Sequence, residues 1–256
     1  MKKVLVTLLT PNFMPGFIAW IKSIKKNCHF KDDLIVIDCG LNEEQKTTCK
    51  KYYSRIIFRK PRYPQYAHLD LTKVANHFKP VFYKLDCFSY VDYDRIVFID
   101  IDTLILQDFS YLFEGIEASF SAGSGYGELK EVFESTNLNS GVFVINKEYL
   151  NMRTYGTLLS YIGNKGIRYE QDILRKFFKK KTNFLESPKW NYKKHIYASK
   201  QWRDKWNIEK DIVILHFISF KPWQDLSDDP YREKLKPLYD LWNYYYTLKE
   251  NLCQKS

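Results

Sequence analysis

The sequence has no run of 18 consecutive apolar residues, no C-x-x-C pair and no low-complexity tract. The first absence excludes a membrane-spanning helix, which needs about 20 apolar residues. The five cysteines, Cys28, Cys39, Cys49, Cys87 and Cys253, are odd in number, so neither a disulfide framework nor a structural zinc site is expected. No internal repeat and no Gly/Ser/Pro-rich linker divides the chain, which favours one domain. G-x-S-x-G, H-E-x-x-H and Walker A patterns are also missing, removing three common routes to hydrolysis. The opening MKKVLVTLLTPNF is basic, then apolar, but Val4 to Leu9 is short for a signal core and stops at Thr10-Pro11 without a small-residue cleavage site. A soluble cytoplasmic protein is therefore expected, with peripheral contact at the inner face of a membrane as an option.

What is present is globular: 256 residues, 45% hydrophobic and 27% charged, enough chain to bury a core without staples. Aromatic residues reach 17%, with 20 Tyr, 18 Phe and 6 Trp; most read as core, though Trp190, Trp202, Trp206 and Trp223 among lysines also suit a sugar platform. The net charge is +10, and residues 176–256 carry 17 Lys/Arg against 10 Asp/Glu. Such a segment suits an anionic partner: nucleic acid, anionic lipid or a phosphorylated ligand. Lys179-Lys180-Lys181 behind Phe177-Phe178 fits a membrane-surface patch or, more commonly, a solvated helix end.

Hydrophobic periodicity organises the first hundred residues as strand, helix, strand. Strands are expected at Lys3–Leu9, Leu34–Asp38, Arg55–Phe58 and Arg95–Asp100. Helices are expected behind Pro15, over Glu43–Tyr53 and from Pro80, whose missing N–H costs little at a helix start. This rhythm implies a parallel α/β sheet with its ligands at the carboxyl ends of the strands. Later come strands at Gly141–Asn146 and Asp211–Phe217, a helix at Gln171–Phe178 and an amphipathic helix over Tyr231–Leu252. The Gly123–Gly127 stretch reads as a mobile loop, and Tyr63–His68 as a surface or lid loop.

The strongest chemical signal is Asp100-Ile-Asp102 at the end of an apolar strand. In an extended chain these carboxylates share a side, where they suit a divalent ion that also grips phosphate oxygens; the plain alternative is a strand-terminal acid followed by a turn acid. A second signal is His216, near the end of a late strand, with Lys221-Pro222-Trp223 after it. An imidazole joining the aspartates favours Mn2+ over Mg2+, and Lys221 could neutralise a diphosphate. Read alone, His216 is a core histidine.

Asp100-x-Asp102, Asn139-Ser140-Gly141, Glu170-Gln171-Asp172 and His216-Phe217 running to Lys221-Pro222-Trp223 occur in one order. Together they resemble the retaining GT-A glycosyltransferases of the glycogenin and lipo-oligosaccharide galactosyltransferase type, glycosyltransferase family 8, from Val6 past Trp223. The resemblance implies an α/β GT-A fold, with a single Rossmann-like nucleotide-binding domain, a mixed central sheet and a C-terminal helical segment. Within 1–256 it suggests a nucleotide-binding half (1–110), a donor-sugar and acceptor half (111–223) and a C-terminal helix (224–256). It further implies transfer of a hexose from a UDP-sugar, with retention, to a glycan or glycolipid acceptor. Mn2+, with Mg2+ as the alternative, would be held by Asp100, Asp102 and His216. Leu8, Thr10, Lys84, Asp100, Ile101 and Lys221 would bind the nucleotide, and Asn139, Glu170 and Gln171 would act at the donor sugar. No nucleic acid is expected as partner.

The chain departs from that pattern in four places. Glu170 replaces the usual Asp, and Met14 stands where relatives often carry an aromatic. An acid that often follows the D-x-D is replaced within Ser121–Tyr126. The glycine usual between the late histidine and lysine is absent from a stretch one residue shorter, which contains Ser219; where that glycine has φ > 0, the turn must be rebuilt. A glycosidase is the weaker enzymatic alternative, because Asp100 and Asp102 stand too close to flank one glycosidic bond. A family member altered in catalysis, or a basic aromatic binding module for glycan or nucleic acid, completes the alternatives.

Overall fold

The computed structural model describes residues 1–62, 76–125, 137–186 and 188–249. The chain starts with β1 (Lys3–Leu9), a 3-10 turn at Pro11–Phe13, and α1 (Met14–Asn27). Next come β2 (Leu34–Asp38), α2 (Glu43–Tyr52) and β3 (Ile56–Arg59). A tightly wound helical segment, Asn76–Ser89, leads to β4 (Arg95–Ile99) and, after a two-residue turn, to β5 (Thr103–Ile105). Helix α3 (Tyr111–Glu114), β6 (Phe120–Gly125), β7 (Asn137–Asn146), α4 (Met152–Leu159) and α5 (Glu170–Phe178) follow. The last third contains β8 (Asn183–Phe184), β9 (Tyr192–Lys193), the short helices α6 (Lys194–Ala198), α7 (Lys200–Arg203) and α8 (Ile208–Asp211), β10 (Ile214–His216) and α9 (Arg232–Thr247).

The main sheet runs β3-β2-β1-β4-β7-β6-β8. β3, β2, β1 and β4 are parallel, whereas β7 is antiparallel to both β4 and β6. Every residue of β2 and β4 is buried, as expected of parallel strands covered on both faces. One face packs the Asn76–Ser89 segment, α4 and α5 around Phe82, Phe88, Phe98, Phe143 and Phe178. The other packs α1 and α3 around Trp20, Val36, Val97 and Val144. A smaller sheet, β5-β10-β9, sits under α9, whose Leu235, Leu238, Trp242 and Tyr245 bury one stripe.

Several expectations need correction. Pro80 lies inside the Asn76–Ser89 segment. β7 begins at Asn137, so Asn139 and Ser140 belong to the strand. β10 is only Ile214–His216, because Asn207 caps a helical turn over Ile208–Asp211 with its carboxamide oxygen. α9 ends at Thr247. Gly123–Gly125 is part of β6, held between β7 and β8 with a register shift at Ala122/Gly123; Tyr126–Gly127 and Tyr63–His68 lie outside the described residues. Phe178 is buried against Phe120, and Phe177 packs on the same cluster, so this pair offers no membrane-inserting patch. No helix among the described residues is long and apolar enough to cross a membrane.

Candidate active site

In the main sheet the chain moves outward from β1 to β2 to β3, then crosses back to β4 on the other side of β1. Ligands of open α/β sheets bind at such a switch point, outside the carboxyl ends of the strands. Leu8 and Thr10 stand there at the end of β1 and Asp100 at the end of β4, whose neighbouring register includes Val6 opposite Phe98.

The two aspartates converge through a corner rather than along an extended strand. Asp100 N–H donates to Gly141 O at 2.8 Å, and Thr103 Oγ1 donates to Asp100 O at 2.8 Å. The chain turns at Ile101-Asp102 and enters β5. β5 pairs antiparallel with β10, placing Thr103 opposite His216, and Phe217 N–H donates to Asp102 O at 2.8 Å. A late strand thereby delivers His216 to the aspartates: one ligand atom each from Asp100, Asp102 and His216 lies within 4.8 Å of the others. Ile101 turns its side chain into the core, so any ligand contact from it is made by backbone.

Two lysines neutralise this cluster. Lys84 Nζ lies 2.8 Å from Asp100 Oδ1 and 3.1 Å from Glu170 Oε1. Lys221 Nζ pairs with Asp102 Oδ2 and donates to Phe217 O at 2.9 Å. Burial works against ionised Asp102, but Lys221, joined by His216 when its ring is protonated, holds its carboxyl well below the usual range. Burial lifts Asp100, Lys84 offsets only part of that, and Asp102 adds to the rise. Burial also works against the Lys84 ammonium, yet Asp100 and Glu170 raise its pKa above the ordinary lysine value.

Two carboxylates and one imidazole converging on a point fit a divalent cation, and the mixed oxygen and nitrogen set suits Mn2+ better than Mg2+. His216 Nε2 is 3.2 Å from Asp102 Oδ1, while its Nδ1 is 2.8 Å from Asn191 Oδ1. Gly141 makes this possible, because a Cβ there would come within 2.4 Å of His216 Cε1. Asn139 sits beside it, its Nδ2 3.4 Å from Gln171 Oε1. Glu170 is buried, accepting from Ser140 Oγ at 2.5 Å as well as pairing with Lys84, whereas Gln171 is half-buried.

The Lys221 loop is pinned from two sides. Lys194 Nζ donates to Phe220 O at 2.7 Å and pairs with buried Asp229 at 3.1 Å. Trp223 packs over Trp242, meets Phe13 edge-on at 5.3 Å and presses on Gly16. Trp223 therefore ties this loop to the start of α1, where Met14 packs on Cys49; it is structural rather than a sugar platform. Ser219 takes φ +61° in this loop with no glycine to relieve it. A left-handed non-glycine residue costs about 1 kcal/mol or more, and Ser219 is exposed. Ser219→Gly should therefore stabilise the protein by roughly 0.5–1 kcal/mol, read as a higher urea midpoint; an unchanged or lower midpoint would show that the loop carries no such strain.

Sequence reasoning missed Asn191 and Lys194. Both flank β9, a two-residue strand whose only signal is its pairing with β10.

This architecture, with a metal-competent aspartate pair at the switch point and a second small sheet carrying the histidine, defines a GT-A glycosyltransferase fold. The galactosyltransferase LgtC, solved in complex with donor and acceptor sugar analogues, shares it with a TM-score of 0.71 at 18% identity, over 97% of this chain and 98% of that one. A family model, glycosyl transferase family 8, matches residues 4–227, and the chain belongs to that family. An uncharacterised protein of Acanthamoeba polyphaga mimivirus, R707, is 25% identical over 88% of this chain and 83% of its own length. UDP-glucuronate:xylan alpha-glucuronosyltransferase 1 of Arabidopsis thaliana is 27% identical over 82% of this chain but 30% of its own; this chain spans less than a third of the plant enzyme.

Proposed function

We propose that the protein is a retaining hexosyltransferase that uses a UDP-sugar and Mn2+ to extend a glycan or glycolipid acceptor. The observation that carries this reading is the convergence of Asp100, Asp102 and His216, flanked by Lys84 and Lys221, at the carboxyl ends of β1 and β4. Residues 1–110 would hold the nucleotide, with Leu8 and Thr10 at the base and ribose and Ile101 contributing backbone. Residues 111–223 would supply the donor-sugar and acceptor side, and within 224–256 helix α9 would brace the Lys221 loop.

Cleaving the anomeric C–O bond leaves negative charge on the departing diphosphate and positive charge on the sugar. A bound divalent metal supplies Lewis-acid stabilisation of the first; Asp100, Asp102 and His216 would hold it. Lys221 is placed to transfer its charge from Asp102 to the diphosphate, and Lys84 remains as a buried cation behind Asp100. Both act as charge fixed before the reaction, which needs no reorganisation when the bond breaks. Gln171 and Asn139 offer amide groups toward the sugar. Gln171 Oε1, half-buried beside Asn139, would face the cationic anomeric carbon.

Calorimetric titration of UDP, with and without Mn2+, tests the reading. The expected result is binding that needs the metal, followed by slow release of UDP from one of a set of UDP-hexoses. Absence of UDP binding under both conditions would sink it.

A further inference from the structure

We propose that Asn191 is a positioning residue for the metal site, fixing the tautomer and orientation of His216 through a one-way chain of hydrogen bonds that begins at the Gly141 backbone. The proposal rests on the reading of Asp100, Asp102 and His216 as metal ligands. The Gly141 N–H donates to Asn139 Oδ1 at 3.1 Å. The same oxygen accepts from Asn191 Nδ2 at 2.9 Å, and Asn191 Oδ1 lies 2.8 Å from His216 Nδ1.

A backbone N–H is only a donor, so the polarity of the chain is set at its start. Turning the Asn139 amide over would put its NH2 against the Gly141 N–H. Turning Asn191 over would put its oxygen against the Asn139 oxygen. With both amides held, the group facing His216 Nδ1 is an acceptor, and Nδ1 carries the proton. The neutral ring then presents a bare Nε2 to Asp102 Oδ1, 3.2 Å away. A lone pair facing a carboxylate is repulsive by itself and becomes favourable when a divalent cation bridges the two. A histidine that donates its second ring N–H to a neighbouring acceptor is the usual way a ligating imidazole is oriented.

The packing is built for this contact. Asn191 is 3% exposed. The β6 register shift falls at Gly123, where a Cβ would come within 2.5 Å of Asn191 Nδ2. On the other side Gly141 leaves room for the imidazole itself. Two glycines on adjacent strands thus admit one asparagine and the ring it orients. Asn139, expected at the donor sugar, has its oxygen committed to this chain and keeps only its NH2 for the sugar side.

The test compares Mn2+ dissociation constants, measured by electron paramagnetic resonance without nucleotide, for wild type, Asn191→Leu and Asn191→Asp. Leucine keeps much of the volume and removes the acceptor, whereas aspartate keeps an acceptor for Nδ1–H. Asn191→Leu should weaken Mn2+ by about 10–100-fold, and Asn191→Asp, which keeps the acceptor for Nδ1–H but sets an oxygen against Asn139 Oδ1, should recover only part of that loss. Unchanged Mn2+ affinity in the leucine variant overturns the relay and leaves the metal site standing; a wild type that takes up no Mn2+ overturns the metal reading itself. A second measurement stands apart from any folding defect in the variants. In metal-free wild type labelled with 15N-histidine, at a pH where the ring is neutral, His216 should carry its proton on Nδ1. A proton on Nε2 overturns the proposal whatever the variants show.

Discussion

Asp102→Ala should abolish Mn2+-dependent UDP binding and make the protein's melting temperature insensitive to Mn2+. The carboxylate serves two neighbours at once, facing His216 Nε2 at 3.2 Å and pairing with Lys221, and its residue stands at the corner that joins β4 to β5. Removing it takes one of three ligands, so the loss in Mn2+ affinity should exceed the roughly 100-fold ceiling of an outer-shell change. The thermal readout is large enough to decide. A ligand at 100 times its dissociation constant stabilises a native state by about 2.7 kcal/mol, which for a chain of this size is roughly 5–10 °C. Wild type should show that shift on titration with Mn2+ and the variant should not. Without metal the variant should melt somewhat below wild type, because Lys221 loses its counter-ion, yet remain folded. Lys221 keeps its bond to Phe217 O, and its loop stays anchored by Lys194 and Trp223. A variant that still gains thermal stability from Mn2+ as wild type does would place the metal elsewhere.

The first half of the fold is legible because its strands are covered on both faces, and burial writes itself into the sequence as apolar runs such as Leu34 to Ile37 and Ile96 to Ile99. Helix α2 carries a local signal too, a reciprocal cap between Asn42 and Gln45. β5, β8, β9 and β10 have only two or three residues each and exist because of their partners, so no periodicity can betray them. β6 shows the same effect against its own composition: Gly123 and Gly125 suit a loop, yet pairing with β7 makes the segment a strand. At the site, Asp100, Asp102, Lys84, His216 and Lys221 could be named from motifs, and the fold brings all five together. The motifs did not reveal that Glu170 is the second counter-ion of Lys84, nor that Asn191 stands behind His216. Both contacts join residues far apart in the chain: the first depends on how the Asn76–Ser89 segment packs on α5, the second on the β9–β10 register, and no local pattern encodes either. Ser219 is the converse case. The missing glycine is visible in the sequence, whereas the left-handed backbone that Ser219 itself takes is not.

Lys84→Met should be the most destabilising single change in the metal-free site. Lys84 Nζ lies between Asp100 and Glu170, at 2.8 and 3.1 Å, with its own side chain 7% exposed and that of Glu170 4%. Methionine fills much of the same space but leaves the buried Glu170 carboxylate and the partly buried Asp100 carboxylate without their shared cation. Breaking a buried ion pair from one side costs about 3–5 kcal/mol, a large part of the stability of an ordinary domain. Its pH dependence identifies the cause. Burial and Asp102 already raise the Asp100 pKa, with Lys84 as the main opposing influence, so removing Lys84 raises it further. A carboxyl whose folded pKa exceeds its unfolded value binds more protons in the folded state, so stability rises as pH falls through that interval. Urea midpoints for Lys84→Met should therefore lie far below wild type at pH 8 and converge on it toward pH 5. Glu170→Gln added to Lys84→Met should recover a large share of the deficit at pH 8, because one amide beside one carboxylate no longer repels. A deficit independent of pH, and untouched by Glu170→Gln, would mean that the fold requires the packing of the lysine side chain rather than its charge.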